Sequence, residues 1–356
     1  MPENIFKIPH QDKLYIYNKF KKRLNIDTVP DKFKPLPFYF FGSGSSGNSV
    51  YLNKLHSLID LGFSYKKYTS FNQNFFLDVD YIFLTHEHND HFKFPTFYKI
   101  LQMNPNVQFV LSKRLYNVIT NPDQKTNKIA KQVSGNFDQK INSLSTTYRD
   151  RFLIIQPDQH TSIVLPTRHQ LKFWFTPHLV THGDILNMAI ELISENGIHT
   201  LYSSDIDHLI DDTGNDEIRQ IGLPVNYSSN YNIFAPDFVP FPHAVNVNPS
   251  NNPFDLMFLE ANYDEQLLDE ALKKDPNNPH ALGNKRHISE QEAWKYVNLS
   301  LANHGIFVPL HASRTFGTLI QELDWRIIRQ PHRYYSGSTP EGVLNFIAKL
   351  GIITCN

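Results

Sequence analysis

Thr85-His86-Glu87-His88-Asn89-Asp90-His91 is the stretch of this chain best equipped for chemistry. In an extended segment, residues two apart project to the same side, so His86 and His88 can share one cation. Asp90 and His91 follow once the chain turns and can reach a second cation beside the first. Nitrogen and carboxylate donors without sulfur suit Zn2+, Mn2+ or Fe2+. A lone histidine in an apolar neighbourhood usually serves the core, whereas four ligand-type residues within six positions favour a metal. The single cysteine, Cys355, leaves no route to a thiolate cluster or an internal disulfide.

Such a loop needs rigid elements to aim it. The apolar run 81–84 directly before it reads as a buried strand, which places the donors at a strand's C-terminal end, where α/β proteins put their chemistry. Further strands are expected at 38–41, 49–52, 56–60, 152–155, 163–166, 171–175, 188–193, 199–203, 256–259 and 306–310. Helices are expected within 62–71 and at 95–102, 112–119, 264–273 and 289–302. A closing helix runs to Leu350, with Thr339 as its N-cap and Pro340 at its first position. Residues 121–150 are polar and weakly periodic, and read as irregular and exposed. Residues 222–254, crowded with Asn, Pro and aromatics, read as a long surface excursion. Residues 1–36 form an N-terminal extension with a short basic helix at 13–24, whose charges read as a solvated face. The domain proper is expected over 37–356, with insertions near 121–170 and 212–255. Strands interspersed with helices make a layered α/β architecture the economical reading.

Composition narrows the class. The chain has 356 residues, 40% of them hydrophobic and 19% charged, which is enough to build a core and excludes a disordered or fibrous protein. No apolar run approaches the roughly 20 residues of a membrane helix. The opening Met1-Pro2-Glu3-Asn4 lacks the layout of a secretory signal, so a cytoplasmic protein without membrane association is expected. A net charge of −1 argues against a tight, nonspecific grip on long duplex DNA. The aromatic residues could stack single-stranded bases, but most are needed for the core.

One local cluster does not complete two metal sites, so further donors must come from downstream. At this point the sequence resembles the metallo-β-lactamase fold superfamily, whose mark is an H-x-H-x-D-H loop after an apolar strand. The resemblance implies a four-layer αββα sandwich with a binuclear metal site at one edge of its sheets. It also implies later ligands at Thr181-His182-Gly183, Ser203-Ser204-Asp205 and Pro309-Leu310-His311. Metal one would then be held by His86, His88 and His182. Metal two would be held by Asp90, His91 and His311, with Asp205 bridging both. Asp60, in Leu58-Ile59-Asp60-Leu61-Gly62, would brace the histidine loop. His182 is preferred to His178, which follows a proline. His311 is preferred to His304, which begins a Gly-containing turn.

A narrower resemblance joins the chain to the YycJ-like (WalJ) branch, single-domain enzymes implied to be DNA exonucleases. It rests on Phe41-Gly42-Ser43-Gly44-Ser45-Ser46-Gly47-Asn48-Ser49, on Glu260-Ala261-Asn262-Tyr263-Asp264 and on Lys285-Arg286-His287-Ile288-Ser289. Tyr263, Arg286 and Gly183 depart from that branch, where histidine, glycine and aspartate stand.

The reading that follows is a binuclear metal-dependent hydrolase that cleaves phosphodiester bonds with a metal-bridging hydroxide. Two divalent ions are expected, zinc foremost, with Mn2+ or Fe2+ as substitutes. Asp90 and Asp205 would orient the hydroxide. His287, after Lys285 and Arg286, is either a phosphate contact or general acid, or part of an exposed basic turn. Ser45, Ser46, Asn48, Asn262 and Arg286 are candidate substrate contacts. The Gly/Ser loop 42–49 lacks the Walker pattern, and its glycines read as permitting a tight turn. The partner is a nucleic acid or a small phosphodiester such as a cyclic nucleotide. A lactonase or thioesterase would use the same scaffold, and a metal-stabilised binding protein is the non-enzymatic alternative.

Overall fold

The computed structural model describes residues 38–121, 129–133, 135–156, 162–182, 185–206, 254–293, 301–311, 313, 315–317 and 353–354. The expected 1–36 extension, the closing helix, Gly183, Cys355 and nearly all of the 222–254 excursion lie outside the described residues. The chain is mixed α/β, with two sheets and helices. It divides into an N-terminal unit containing residues 38–197 and a C-terminal unit whose described residues begin at Ile198.

The N-terminal unit starts with β1 (Phe38–Gly42), β2 (Ser49–Leu52) and β3 (Ser57–Ile59), an antiparallel meander. From β3 the sheet continues in parallel through β4 (Tyr81–Leu84), β5 (Gln108–Ser112) and β6 (Phe152–Ile155). All four residues of β4 are buried, as expected of a parallel strand covered on both faces. Between them run α1 (Tyr65–Phe71), α2 (Phe94–Met103), α3 (Lys113–Thr120) and α4 (Phe137–Ser145). Helix α2 buries Phe94, Phe97, Ile100 and Leu101 on one stripe, and Phe97 meets Phe109 of β5 edge-on at 4.8 Å. Ser112 ends β5 and caps α3, its side chain accepting a hydrogen bond from the Leu115 N–H.

The other sheet face is covered by an antiparallel run of β7 (Ile163–Pro166), β8 (Lys172–His182) and β9 (Ile185–Ser194). Phe173 and Phe175, two apart on β8, both point inward, and Phe175 packs against Phe83 at 4.9 Å. The Tyr81 hydroxyl donates to the Pro166 carbonyl at 2.7 Å and fastens the two layers at one end. Helix, sheet and sheet therefore stack in this unit. Phe41, Tyr51, Tyr68 and Phe75 form an aromatic knot under β1 and β2, with edge-on contacts at 4.9–5.3 Å. Such pairs add about 0.5–1.5 kcal/mol each beyond the area they bury.

In the C-terminal unit β10 (His199–Ser203), β11 (Phe254–Glu260) and β12 (Leu301–Leu310) run parallel, and β13 (Ile353–Thr354) pairs antiparallel with β12. Every residue of β10 and β11 is buried. Helix α5 (Glu265–Lys274) is capped by Asp264, whose carboxylate accepts from the Leu267 N–H. Helix α6 (Pro279–Asn284) begins with proline after an Asn278 cap.

Three sequence expectations change. Residues 121–150 are not simply irregular and exposed: α4 buries Ile141 and Leu144, and Ile129 is buried too. The helix expected through Ala302 stops earlier, because Leu301 already pairs with Phe254 in β12. His304 consequently lies inside a strand, not in a turn. Strand β5 was not anticipated, although Phe109-Val110-Leu111 is an apolar run.

Candidate functional site

Strand β4 delivers the histidine loop, and backbone hydrogen bonds hold the loop in shape. The His91 and Phe92 N–H groups both donate to the His88 carbonyl, closing a turn. Leu61 N–H donates to His91 O at 2.7 Å, Lys93 N–H to Leu61 O at 3.1 Å, and Asn48 N–H to Asp90 O at 2.6 Å. Gly62 sits where these strands of chain cross. A Cβ there would lie 1.9 Å from the Asp90 carbonyl and 2.3 Å from the Asn48 nitrogen, so no other residue fits without moving backbone.

Asp60 lies at the centre. It follows β3 in the left-handed region, at φ 60°, and is fully buried. One carboxylate oxygen accepts from the Thr85 N–H at 2.9 Å, and the Thr85 hydroxyl lies 2.9 and 3.0 Å from the two oxygens. His91 Nδ1 lies 2.6 Å from Asp60 Oδ2, with neither side chain exposed. Since the carboxylate only accepts, His91 carries its proton on Nδ1 and presents a lone pair at Nε2.

Three imidazoles gather beside it. His86 Nε2 and His88 Nδ1 are 3.1 Å apart. The His182 ring, from the last residue of β8, stands 5.2 Å from that of His88 and 5.8 Å from that of His86. Two nitrogens on one tetrahedral zinc are separated by about 3.3 Å, given Zn–N bonds of 2.0–2.1 Å. The spacing and the chemistry of this donor set fit a divalent ion. His178, the competing histidine, is buried within β8 and engaged by Glu191 at 2.7 Å.

Asn48 is 1% exposed and turns inward. Its Oδ1 accepts from the Ser43 hydroxyl at 2.8 Å and the Gly44 N–H at 2.7 Å, which fixes the amide's orientation. Its Nδ2 is thereby placed 2.8 Å from His91 Nε2 and 3.2 Å from Asp90 Oδ2. Ser45 and Ser46 are exposed at the tip of the same loop. Arg114 Nη1 reaches the Glu87 oxygens at 2.7 and 2.8 Å, tying the loop to α3.

The C-terminal unit carries a second group. Asp205, two residues past β10, and His311, directly past β12, are both left-handed at φ 53°. Asp205 Oδ1 lies 3.4 Å from His311 Nε2. Asn262 Nδ2 donates to the His311 carbonyl at 2.6 Å and lies 3.2 Å from His311 Nδ1. Glu260, fully buried at the end of β11, accepts from the Ile206 N–H at 2.7 Å and meets His287 Nδ1 at 2.5 Å. The His287 and His311 rings stack 4.9 Å apart at 19°. Lys285 and Arg286 are exposed beside them. The sequence reading singled out His287 but gave no role to Glu260. Its signal was available, since a glutamate directly after the apolar run 256–259 is a buried charge in need of a partner.

No protein-family model and no curated protein matches the chain. Among solved structures it is similar to human tRNase Z, short form, at 15% identity over 78% of this chain and 92% of that one, with a TM-score of 0.39. It is similar to a diphosphatase from the PhnP family at 13% identity, covering 80% and 91%, with a TM-score of 0.36. It is also similar to YhfI from Bacillus subtilis, a metallo-β-lactamase fold protein, at 11% identity, covering 82% and 90%, with a TM-score of 0.38. Among the described residues, no helix is long and apolar enough to cross a membrane.

Proposed function

We propose that this protein is a divalent-metal-dependent hydrolase acting on phosphodiesters, with nucleic acid as the foremost substrate. The observation that carries the reading is the convergence of His86, His88 and His182, with two imidazole nitrogens 3.1 Å apart at zinc-ligand spacing. These three would hold one ion, and Asp90 and His91 would serve a second. By the resemblance, Asp205 and His311 would complete the set. Zinc suits the set best, and Mn2+ or Fe2+ would be accepted by the same nitrogens and oxygens. Bound there, the ions would act as Lewis acids and make a coordinated water a nucleophile at neutral pH.

The chain's own residues supply the rest. Asp60 holds His91 in the tautomer whose lone pair sits on Nε2, and it fixes Thr85 at the root of the loop. Glu260 plays the equivalent part for His287. Accepting at Nδ1, it orients the ring so that Nε2 is the nitrogen that would exchange a proton with the substrate. Exposed Lys285 and Arg286 would attract the phosphate, and Ser45 and Ser46 would offer hydroxyl donors.

The test is turnover by zinc- and manganese-loaded protein of labelled single-stranded DNA, a cyclic dinucleotide and a generic aryl phosphodiester. Cleavage of the DNA that disappears in His88→Ala supports the reading. Turnover of the cyclic dinucleotide alone would shift it to a small-molecule phosphodiesterase. Activity confined to lactones or thioesters would overturn the phosphodiester assignment.

A further inference from the structure

A second group of metal-type donors lies elsewhere in the N-terminal unit and owes nothing to the histidine loop. His56 closes the turn between β2 and β3, Asp78 follows the short 3-10 turn Phe75–Leu77, and His169 stands in the turn between β7 and β8. They are 22 and 91 residues apart in the chain. Even so, the two imidazole rings stack with centroids 3.7 Å apart and planes at 15°. Asp78 Oδ1 lies 3.2 Å from His56 Nδ1 and 3.7 Å from His169 Nε2. One ligand atom from each residue can be chosen so that all lie within 4.8 Å of one another. We propose that His56, Asp78 and His169 form a separate surface site for a divalent transition metal, zinc in the first instance, that staples the β7–β8 turn to the first sheet.

Geometry and support both point this way. Nitrogen and oxygen ligands of one tetrahedral zinc are about 3.3–3.5 Å apart, and the two distances to Asp78 Oδ1 bracket that spacing. The far carboxylate oxygen, Oδ2, accepts from the Tyr51 hydroxyl at 2.6 Å, the kind of outer hydrogen bond that holds a ligating carboxylate in place. Burial, together with Asp78 itself, pushes the Tyr51 hydroxyl well above its usual range, so it remains a donor. His56 is held in the left-handed region at φ 48°, a conformation that is retained in ligand clamps at a cost elsewhere.

The turn that carries His169 is locked in advance. Arg168 makes a salt bridge to Asp80 and donates from Nη2 to the Leu77 and Val79 carbonyls at 3.0 and 2.9 Å, on either side of Asp78. His169 is therefore set against Asp78 by its neighbour's contacts as well as by its own stacking on His56. Without an ion, His56 Nδ1 donates to Asp78, whose backbone carbonyl is 3.1 Å away. On binding zinc that proton moves to Nε2, so the ring stays neutral and Nδ1 becomes the ligand. The half-exposed side chains of Asp78 and His169, at 51% and 44%, leave room for water to complete the coordination.

Two variants test the site on the full chain. His169→Ala removes a ligand from an exposed turn, and His56→Asn removes the other imidazole with a residue that tolerates φ > 0. Each is expected to bind one equivalent of Zn2+ fewer than the wild type, by elemental analysis after equilibration and desalting, while hydrolytic turnover is unchanged. In a His88→Ala background, which removes a donor from the histidine-loop centre, Zn2+ at about a hundredfold excess over Kd should still raise Tm by about 5 °C or more. Adding His169→Ala should cut that rise by several degrees. Equal zinc content in the wild type and both variants, or no zinc-dependent rise in the His88→Ala protein, would show the cluster to be a hydrogen-bonded tie and overturn the proposal. Neither result bears on the hydrolase assignment, because the site shares no residue with it.

Discussion

In the N-terminal unit, His86, His88, Asp90 and His91 come from one loop of six residues, and only His182 arrives from a distant strand. In the C-terminal unit Asp205, Glu260, His287 and His311 come from four separate places, three of them at or just past strand ends. The first group is shaped by backbone: the loop is strapped to Leu61, Gly62 and Asn48, and Asp60 stands beneath it. The second is shaped by side chains reaching one another, through Glu260 and Asn262. A contiguous loop concentrates donors at little entropic cost but depends on a few irreplaceable contacts. A dispersed group depends on the register of a parallel sheet, here β10, β11 and β12. Both use the same device at the strand ends. Asp60, Asp205 and His311 are all left-handed non-glycine residues, a conformation costing of the order of 1–3 kcal/mol each.

This contrast can be broken at its most sensitive points. Replacing His88 with alanine removes a donor of the three-imidazole group. Metal content should fall by at least one equivalent and turnover by about 10³-fold or more, as several kcal/mol of charge stabilisation are lost. Elemental analysis beside a turnover assay reads both.

Gly62→Ala strikes the strapping instead of the donors. With backbone 1.9 Å from the new methyl group, the loop must be displaced, and a destabilisation of about 3 kcal/mol or more is expected in a denaturant titration. No single substitution in the dispersed group should cost as much through backbone alone.

Asp60→Asn keeps the shape but turns one of the two acceptor oxygens into a donor NH2, so the His91 tautomer is no longer set. Metal affinity should drop about 10–100-fold, measured by competition with a chelator, while the fold persists. Glu260→Gln is the matching change in the other unit. It should lower turnover about tenfold to a hundredfold, leaving metal content unchanged. A loss of metal in Glu260→Gln would mean that the two groups do not divide the work as described.

The smallest effect is expected for Arg114→Ala. Its ion pair with Glu87 is partly exposed, at 19% and 15%, and should contribute no more than about 1 kcal/mol. A much larger loss would mean that side chains as well as backbone hold the loop.

Much of this was legible in the residues, and the illegible parts have identifiable causes. Strands such as Tyr81–Leu84 and Phe152–Ile155 show themselves as apolar runs between turn residues, because burial on both faces demands apolar side chains throughout. The histidine loop shows itself because its donors are neighbours in the chain. Helix α4 is hidden by its polar exterior, since only Ile141 and Leu144 are buried and two residues make a weak period. The sequence preferred His182 to His178, because His178 follows a proline. In β8 they are four residues apart, and what separates them is a glutamate on β9, Glu191, that engages one and not the other. The His56–Asp78–His169 cluster was illegible for the same reason.

Local order in the chain thus determined the donor loop, the strands that frame it and most helix starts, because these depend on residues within a few positions of one another. Tertiary structure alone decided that Asp60 sets the tautomer of His91, that Glu260 holds His287, and that Gly62 must lack a side chain. Those facts depend on distances across the sheet between residues 27 to 31 positions apart or on a backbone crossing, and a linear pattern carries no record of such distances.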